Sequence, residues 1–337
     1  MTKGTKAFRI LVCVLLGLTM IWTAYISYAF IYYATDEIRN ERYGVYVGGV
    51  DVTHANASDV LGDGTVSYDA RTNKLTLKNA NIVYDYSILY SEIDLLVELV
   101  GENKFVLKDG KSNTAVYVSN DILRKDLSFY GDGTLEISFE NATENATGIV
   151  ADDLWIGSDV TVTTPDCSNI SNGIVCTSSL TLRNNATVTV NNGAARSSTA
   201  VSVRVNAIIE SGSTLNATVN AGATAACNGV CVGGNLRLGK NALLNVSVAD
   251  QTAESSECLS VLGTMTLGRH STVNASAQKA YAIQCNASVS ASEGATVSAS
   301  SEEAEADVFC YGAFVNYGAT VNAETEALGG IHNKLEN

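Results

Sequence analysis

The sequence predicts an all-β protein: a parallel β-helix (solenoid) preceded by one N-terminal transmembrane helix. Three observations support this prediction. A short apolar motif recurs every 24 to 29 residues, and an uncharged apolar run of 26 residues stands near the N-terminus. The composition is the third, because Ala, Gly, Ser, Thr, Asn and Val dominate the 337 residues, as in strands and tight turns. Only 17% of residues are charged and 46% are hydrophobic, which disfavours a disordered chain.

The first predicted element is the membrane segment at residues 10–35, which carries no charged side chain. One tilted transmembrane helix needs about 20 residues, so this run is long enough. Basic residues precede it and aromatic residues crowd its second half, as at a membrane interface. The positive-inside rule predicts that residues 1–9 are cytoplasmic and that the C-terminal part is extracellular. A signal peptide cleaved after Ala29 is the alternative, and it exports the same part.

The second element, residues 36–100, is predicted to contain a linker, an N-terminal β cap and the first coils. In the stretch GTVSYDARTNKLTLK, apolar residues alternate on both sides of a turn at 69–73, which predicts a β-hairpin. We expect this hairpin to cover the N-terminal edge of the array, since an open strand edge invites aggregation. The stretches IDLLVELVGENKFVL and DLSFYGDGTLEIS are predicted to be early coils.

The third element is the repeat array at residues 101–325. Its anchor residues are Leu135, Val160, Val188, Leu215, Leu244, Val273, Val297 and Val321. A second apolar run begins eight residues before several anchors, at Leu180, Leu236, Met265 and Val289. A third run precedes the second, as in GIVC at 173–176. Each unit therefore contains three short strands, separated by polar turns that use Gly and Asn.

Strands this short are not stable alone, so the units must stack. In stacked coils each strand pairs with its equivalent in the next coil, and the inward Val, Leu and Ile residues form one core. At about 4.8 Å per coil, eight anchored coils predict a rod on the order of 40 Å long. A β-propeller is the main alternative, but its blades need about 40 residues. Residues 326–337 are predicted to be a polar tail.

Two coils resemble a known family. DLSFYGDGTLEIS at 126–138 and GIVADDLWIGSDVTVTT at 148–164 resemble coils of a carbohydrate-binding parallel β-helix family, typified by a clostridial cellulose- and pectin-binding surface protein. Residues 45–82 resemble the opening module of surface proteins from gut and soil bacteria. The resemblance covers most of residues 45–325. It implies a right-handed β-helix, export, polysaccharide binding and calcium, but no ligand residue of the family matches position by position.

The acidic balance limits the partners. The net charge is −14, which disfavours nucleic acid, because phosphate binding needs a basic face. An acidic surface suits cations or neutral sugars and repels an anionic polymer unless a metal bridges the two. The expected partners are an extracellular polysaccharide or a surface protein, with the membrane contacted through the N-terminal helix.

Aromatic residues, among them Tyr90, gather toward the N-terminal half of the exported part. The candidate ligand-binding residues are Tyr84, Tyr86, Tyr117, Tyr130 and Trp155. Sugars lie flat on aromatic rings, so an exposed row of rings would form a binding platform. The alternative is that the rings fill the wide first coils as core, because Tyr84 and Tyr86 share a strand face.

The candidate metal ligands are Asp132, Asp152 and Asp153, which stand in turns ahead of strands. Carboxylates clustered at one flank of stacked coils could hold Ca²⁺, which takes roughly six to eight oxygen ligands. The alternative is that Asp simply suits turns, because it hydrogen-bonds to its own backbone. Ca²⁺ is the one candidate cofactor, and the sequence offers no catalytic residue.

Seven cysteines follow the membrane segment, an odd number that cannot pair completely. Cys176 and Cys285 each stand four residues before a second apolar run, where other coils carry valine, which predicts buried small hydrophobic residues. Cys258 is expected one coil away from both Cys227 and Cys231, so either pair could form a disulfide.

Together these observations predict a non-catalytic cell-surface protein that binds extracellular polysaccharide, with or without calcium. The first alternative is a structural or adhesive stalk that binds proteins. The second is a β-helix polysaccharide lyase or hydrolase, which would need carboxylates and basic residues together in a groove. An exposed aromatic row would favour polysaccharide binding, and a rod with only small polar side chains outside would favour the stalk.

Overall fold

The described N-terminal helix covers part of the membrane segment that the sequence predicts. The structure, a computed structural model, describes residues 18–29, 41–108, 110–118, 125–220, 222–249 and 252–333. Within the described residues, 18–29 form helix α1, which at 1.5 Å per residue is about 18 Å long. No helix in the described ranges is long and apolar enough to cross a membrane. The rest of the predicted segment at 10–35 lies outside the described residues, so the predicted transmembrane helix is not supported.

The predicted β-helix is confirmed as a parallel β-solenoid of about eight turns. Within the described ranges, the strands form three sheets, and successive coils place one strand in each. Neighbouring strands in a sheet come from successive coils and are parallel, apart from three antiparallel pairs at the N-terminal end, two of which are hairpins. The right-handed sense of the coil stays a prediction.

Strands are numbered in chain order. The first sheet contains β1 (Arg42–Val47), β2 (Val50–Thr53), β6 (Leu89–Ser91), β9 (Gly110–Val118), β12 (Ala142–Ala151), β15 (Ile170–Cys176), β18 (Ser197–Val203), β21 (Ala226–Val232), β24 (Ser255–Val261), β27 (Ile283–Cys285), β30 (Val308–Cys310) and β33 (Thr325–Ala327). The second contains β3 (Val66–Asp69), β4 (Lys74–Lys78), β7 (Leu95–Val100), β10 (Leu127–Tyr130), β13 (Leu154–Ile156), β16 (Leu180–Leu182), β19 (Ala207–Ile209), β22 (Leu236–Leu238), β25 (Met265–Leu267), β28 (Val289–Ala291), β31 (Phe314–Asn316) and β34 (Ile331–Asn333). The third contains β5 (Asn81–Tyr84), β8 (Glu102–Leu107), β11 (Thr134–Phe139), β14 (Asp159–Thr163), β17 (Thr187–Asn192), β20 (Thr214–Val219), β23 (Leu243–Val248), β26 (Thr272–Ala277), β29 (Thr296–Ser301) and β32 (Thr320–Asn322).

The predicted register is also confirmed. All eight anchors, from Leu135 to Val321, are successive partners along the third sheet. The second apolar runs pair in the second sheet. Leu180, Ala207, Leu236, Met265 and Val289 are successive partners there. A slip by one residue would turn each inward side chain to the outside, so the buried pattern specifies this register.

The core is one continuous column of side chains inside the coils. Inward Val, Leu and Ile residues fill most of it, and Phe105, Phe129 and Phe314 are its largest fully buried side chains. Burying a side chain of this kind stabilises the fold by about 1.5–3 kcal/mol. The outward residues of each strand are left to define three faces.

The N-terminal end is covered by two hairpins, of which the sequence predicted one. Strands β3 and β4 pair antiparallel around the predicted turn at 69–73 and lie at the end of the second sheet. Strands β1 and β2 cover the first sheet in the same way, joined by Gly48 and Gly49. Both glycines have positive φ, +56° and +80°, as a two-residue turn between twisted strands requires.

The C-terminal end is more exposed. Strand β34 pairs with β31 and lies within the stretch that the sequence predicted as a polar tail. Ile331 in this last coil is 51% exposed, whereas its equivalents Phe314, Val289 and Met265 are buried. Leu328 is 64% exposed.

Candidate functional site

One row of outward side chains follows the first sheet along the length of the rod. In each strand it lies between buried neighbours, as Tyr46 lies between Val45 and Val47. This outer row consists of Tyr46, Tyr90, Tyr117, Val150, Val175, Ser202, Cys231, Ser260, Gln284 and Phe309. None of these ten side chains is charged, although the protein is acidic. The next partner along the sheet after Phe309 is Glu326, which is charged.

The row begins with three tyrosines on successive strands, here called the tyrosine ladder. The ring centroids of Tyr46 and Tyr90 are 5.5 Å apart, and those of Tyr90 and Tyr117 are 5.9 Å apart with nearly parallel planes. Each ring is half-buried, so its outer rim remains accessible. Stacked rings hold one another in place, and binding to such a rigid surface costs little conformational entropy.

A groove of about 590 Å³ occupies the middle of the same face. Four members of the outer row line it, together with Arg204, Glu257 and Leu262. The Cys231 thiol donates a hydrogen bond to Glu257 Oε2 at 3.4 Å. Burial, and next the Glu257 carboxylate, raise the pKa of Cys231, so this thiol is a poor nucleophile. The groove is therefore a candidate binding surface.

A second group of rings lies at the far end of the outer row and is called the C-terminal aromatic cluster. Phe309 stacks on Tyr281 with ring centroids 5.1 Å apart and meets Tyr311 edge-on at 5.0 Å. This cluster was not predicted from the sequence. The alternation of buried and outward residues in Val308–Cys310 would have revealed that Phe309 points outward in line with Gln284.

The predicted aromatic residues do not form one platform, because the structure divides them among all three sheets. Tyr90 and Tyr117 belong to the tyrosine ladder, whereas Tyr130 and Trp155 lie on the second sheet. Arg183 lies over the Trp155 ring, 5.6 Å from its centroid.

Tyr84 and Tyr86 lie at the N-terminal edge of the third sheet, with ring centroids 6.1 Å apart. Strand β5 ends at Tyr84, so these residues do not share a strand face as the sequence analysis expected. The Tyr84 ring packs against the core, and Tyr86 is 69% exposed. The alternative that these rings fill the core of the first coils therefore holds for Tyr84 but not for Tyr86.

The candidate metal ligands stand at two different corners. Asp152 and Asp153 lie between β12 and β13, and Asp132 lies between β10 and β11. Asp152 accepts hydrogen bonds from the Lys125 N–H at 2.7 Å and from the Thr177 hydroxyl, and Asp153 accepts one from the Ser179 N–H at 2.9 Å.

These bonds hold successive turns together, as turn aspartates do. In the described part of the chain, no three His, Cys, Asp or Glu residues are grouped to hold a metal ion. The calcium prediction thus gains no support and stays a prediction.

Acidic residues also gather around Asp126 on the second sheet. Burial, and next the carboxylates of Asp153, Asp94 and Asp152, raise the pKa of Asp126. Asp94 and Asp126 line a groove of about 270 Å³ with Trp155. Its described lining contains no Lys, Arg or His, so the groove does not combine carboxylates with bases as the lyase or hydrolase alternative requires.

The central coils of the third sheet present a different face, built from small uncharged side chains. The amide of Asn245 donates to Asn216 Oδ1 at 2.7 Å, and that of Asn274 donates to Asn245 Oδ1 at 2.8 Å. A parallel row of hydroxyls includes Ser247 and Ser276, which are 3.2 Å apart. Because these amides and hydroxyls form hydrogen bonds from one coil to the next, this asparagine ladder stabilises the stacking of coils.

The cysteines behave as core residues. Cys176 and Cys285 are buried in the column that also contains Val232 and Val261, as predicted. No disulfide joins the seven cysteines of the described residues. The predicted pairing of Cys258 with Cys227 or Cys231 is therefore absent from the structure: in register, Cys227 faces Ser256 and Cys231 faces Ser260.

No known protein family, curated protein or solved structure matches this chain. The parallel β-solenoid is shown by the structure itself. No comparison supports the predicted resemblance to a carbohydrate-binding family.

Proposed function

We propose that this protein is a non-catalytic surface protein that binds an extracellular polysaccharide strand along the outer row of its first sheet. The observation that carries the proposal is the tyrosine ladder, three half-buried rings in register that lead into a groove of about 590 Å³. Rings with hydroxyl tips offer a sugar both apolar contact and hydrogen bonds.

The position of the rings supports the proposal further. In a core-filling role the three tyrosines would point inward, but the inward positions beside them are occupied by Val45, Val47, Leu89, Val116 and Val118. Aromatic rings that alternate outward and lie beside a groove are a typical lining for small-molecule and sugar binding. Export and anchoring by the N-terminal segment belong to the same proposal.

The second candidate function is an adhesive or structural stalk. It is favoured by the third sheet, where the amide ladder of Asn216, Asn245 and Asn274 and the neighbouring hydroxyls form a face without aromatic rings. Such a face stiffens the rod, whichever partner the first sheet takes.

The test is retention of the full-length chain on immobilised plant, microbial and host glycans, with calcium and with chelator. We expect retention on at least one glycan. Replacing Tyr117 by Ala should weaken retention by about tenfold, since a rigid aromatic contact is worth about 0.5–1.5 kcal/mol beyond its buried area. Trp155→Ala is the matched control, because it removes a ring from the second sheet.

Retention that is abolished by the chelator would support the calcium-assisted form of the proposal. Retention that is lost equally in Tyr117→Ala and Trp155→Ala would place the site elsewhere than on the outer row. Absence of retention on every glycan would contradict polysaccharide binding and leave the stalk, to be followed by a search for protein partners.

A further inference from the structure

We infer that the C-terminal aromatic cluster is a second sugar subsite on the same face, so that the ligand is a long, uncharged polysaccharide lying along the rod. The inference rests on the proposed function and adds to it the length and charge of the polymer. It assigns a binding role to Tyr281, Phe309 and Tyr311.

Register places the two aromatic groups in one line. Phe309 occupies the same outer row as Tyr117, and each coil between them contributes one row member. Seven steps of about 4.8 Å separate these two residues, a distance of about 34 Å along the rod. A flexible oligosaccharide of three units is far shorter than this, and only a polymer reaches both ends.

The cluster has the properties of a preformed subsite. Phe309 is held between Tyr281, stacked at 5.1 Å, and Tyr311, edge-on at 5.0 Å. Tyr311 is 53% exposed, so ring surface is available to a ligand. Three rings that fix one another's orientation lose little entropy on binding.

Between the two aromatic groups the members of the row are themselves uncharged, and the charged side chains that line the groove beside them are Arg204 and Glu257. Val150 and Val175 follow the tyrosine ladder, the groove of about 590 Å³ comes next, and Gln284 precedes Phe309. A uronate polymer would be repelled by a protein with a net charge of −14. An uncharged polymer meets no such repulsion, which is why the row fits that class.

Two subsites on one polymer act together. Once one end of the strand is bound, the second contact becomes intramolecular, and the combined affinity can exceed that of either contact by about 10²–10⁴-fold. A polymer should therefore bind at least about a hundredfold more tightly than a trisaccharide of the same sugar.

The experiment is a calorimetric titration of the full-length chain with a soluble neutral β-glucan, its trisaccharide and polygalacturonate. We expect the β-glucan to bind at least about a hundredfold more tightly than the trisaccharide. Tyr311→Ala and Tyr117→Ala should each remove most of that difference. Tyr311→Phe, which keeps the ring, should retain it, and Trp155→Ala should match the wild type.

The outcomes separate the inference from the proposed function. If Tyr117→Ala weakens β-glucan binding and Tyr311→Ala does not, the second subsite is contradicted while the proposed function stands. Tighter binding of polygalacturonate than of β-glucan would contradict the inference that the ligand is an uncharged polysaccharide. If no glycan binds the wild type, the proposed function fails and the inference fails with it.

Discussion

At the scale of single residues, the inward column of the first sheet shows how position decides chemistry. Cys176, Val203 and Val232 are successive partners in this column, and each is buried. Burial raises the pKa of Cys176 well above the ordinary value, so the thiol stays protonated and acts as a small apolar group.

Replacing Cys176 by valine should change the free energy of unfolding by less than about 1.5 kcal/mol, because valine already occupies this position in the two following coils. Cys176→Ser should cost about 1–3 kcal/mol, because a hydroxyl would be buried in an apolar column. Urea denaturation of the two variants checks this. Equal losses of unfolding free energy in both variants would show that the shape of the side chain, and not its polarity, determines stability at position 176.

The acidic group around Asp126 makes stability depend on pH. The pKa of Asp126 is raised above its ordinary value of 3.8, first by burial and then by its carboxylate neighbours. The folded protein therefore holds this proton more tightly than the unfolded chain, and the carboxylate lowers stability as the pH rises through the folded pKa.

Asp126→Asn should therefore raise the thermal midpoint at neutral pH, because it removes repulsion from Asp153, Asp94 and Asp152. The gain should vanish once the pH falls below 3.8, where the wild-type side chain is protonated in both states. Melting curves of both proteins across this range are the measurement. A gain that is independent of pH would mean that charge is not its cause.

At the scale of elements, the hairpin β1–β2 shows how a glycine turn ends a sheet. Gly49 has a φ of +80°, and an added Cβ would collide with the ring of Tyr84. Gly49 is thus required for two reasons: the turn needs a positive φ, and the Tyr84 ring leaves no room for a side chain.

Gly49→Ala should lower the free energy of unfolding more than Gly62→Ala does. Both positions have positive φ, and strain of this kind costs about 1–3 kcal/mol. Only at Gly49 does the new methyl group also collide with a side chain, because nothing lies within 4 Å of the equivalent point at Gly62. Equal losses in paired denaturant titrations would show that the Tyr84 ring moves aside at no cost.

At the scale of the whole molecule, the two ends of the rod differ. The N-terminal end carries two antiparallel hairpins, whereas the last described coil, β32 to β34, exposes Leu328 and Ile331. In a repeat array each coil is stabilised by its neighbours, so a coil with one neighbour and little buried surface opens most readily.

Amide hydrogen exchange should therefore be fastest in β32 to β34 and slowest in the central coils, such as β17 to β22. The measurement is exchange followed by mass spectrometry of peptides from each coil. The N-terminal strands β3 and β4 are the internal comparison, because a covered end should be protected. Uniform exchange along the rod would contradict independent opening of the last coil.

Much of the fold could be predicted from the sequence because the repeat is local and periodic. The eight anchors from Leu135 to Val321, the columns of buried cysteines and the hairpin at 69–73 all followed from spacing and alternation. The hairpin at Gly48–Gly49 was within reach by the same reasoning, since two glycines between alternating apolar runs are a hairpin signal.

The candidate site was less predictable, because counting aromatic residues along the chain does not show which sheet each one joins. Tyr84, Tyr117 and Trp155 seemed one group in sequence but lie on three sheets. Tyr117 and Phe309 are far apart in sequence and share one row. Which outward side chains share a face depends on the register in which the strands of successive coils pair.

The sequence by itself determined that this chain is a β-solenoid, where its coils lie, and which side chains fill the core, because a period of two within strands and a repeat between coils encode burial directly. Only the tertiary structure decided which outward residues meet. The stacking of coils brings distant residues to about 4.8 Å from one another, and so assembled the tyrosine ladder, the acidic group at Asp126 and the asparagine ladder.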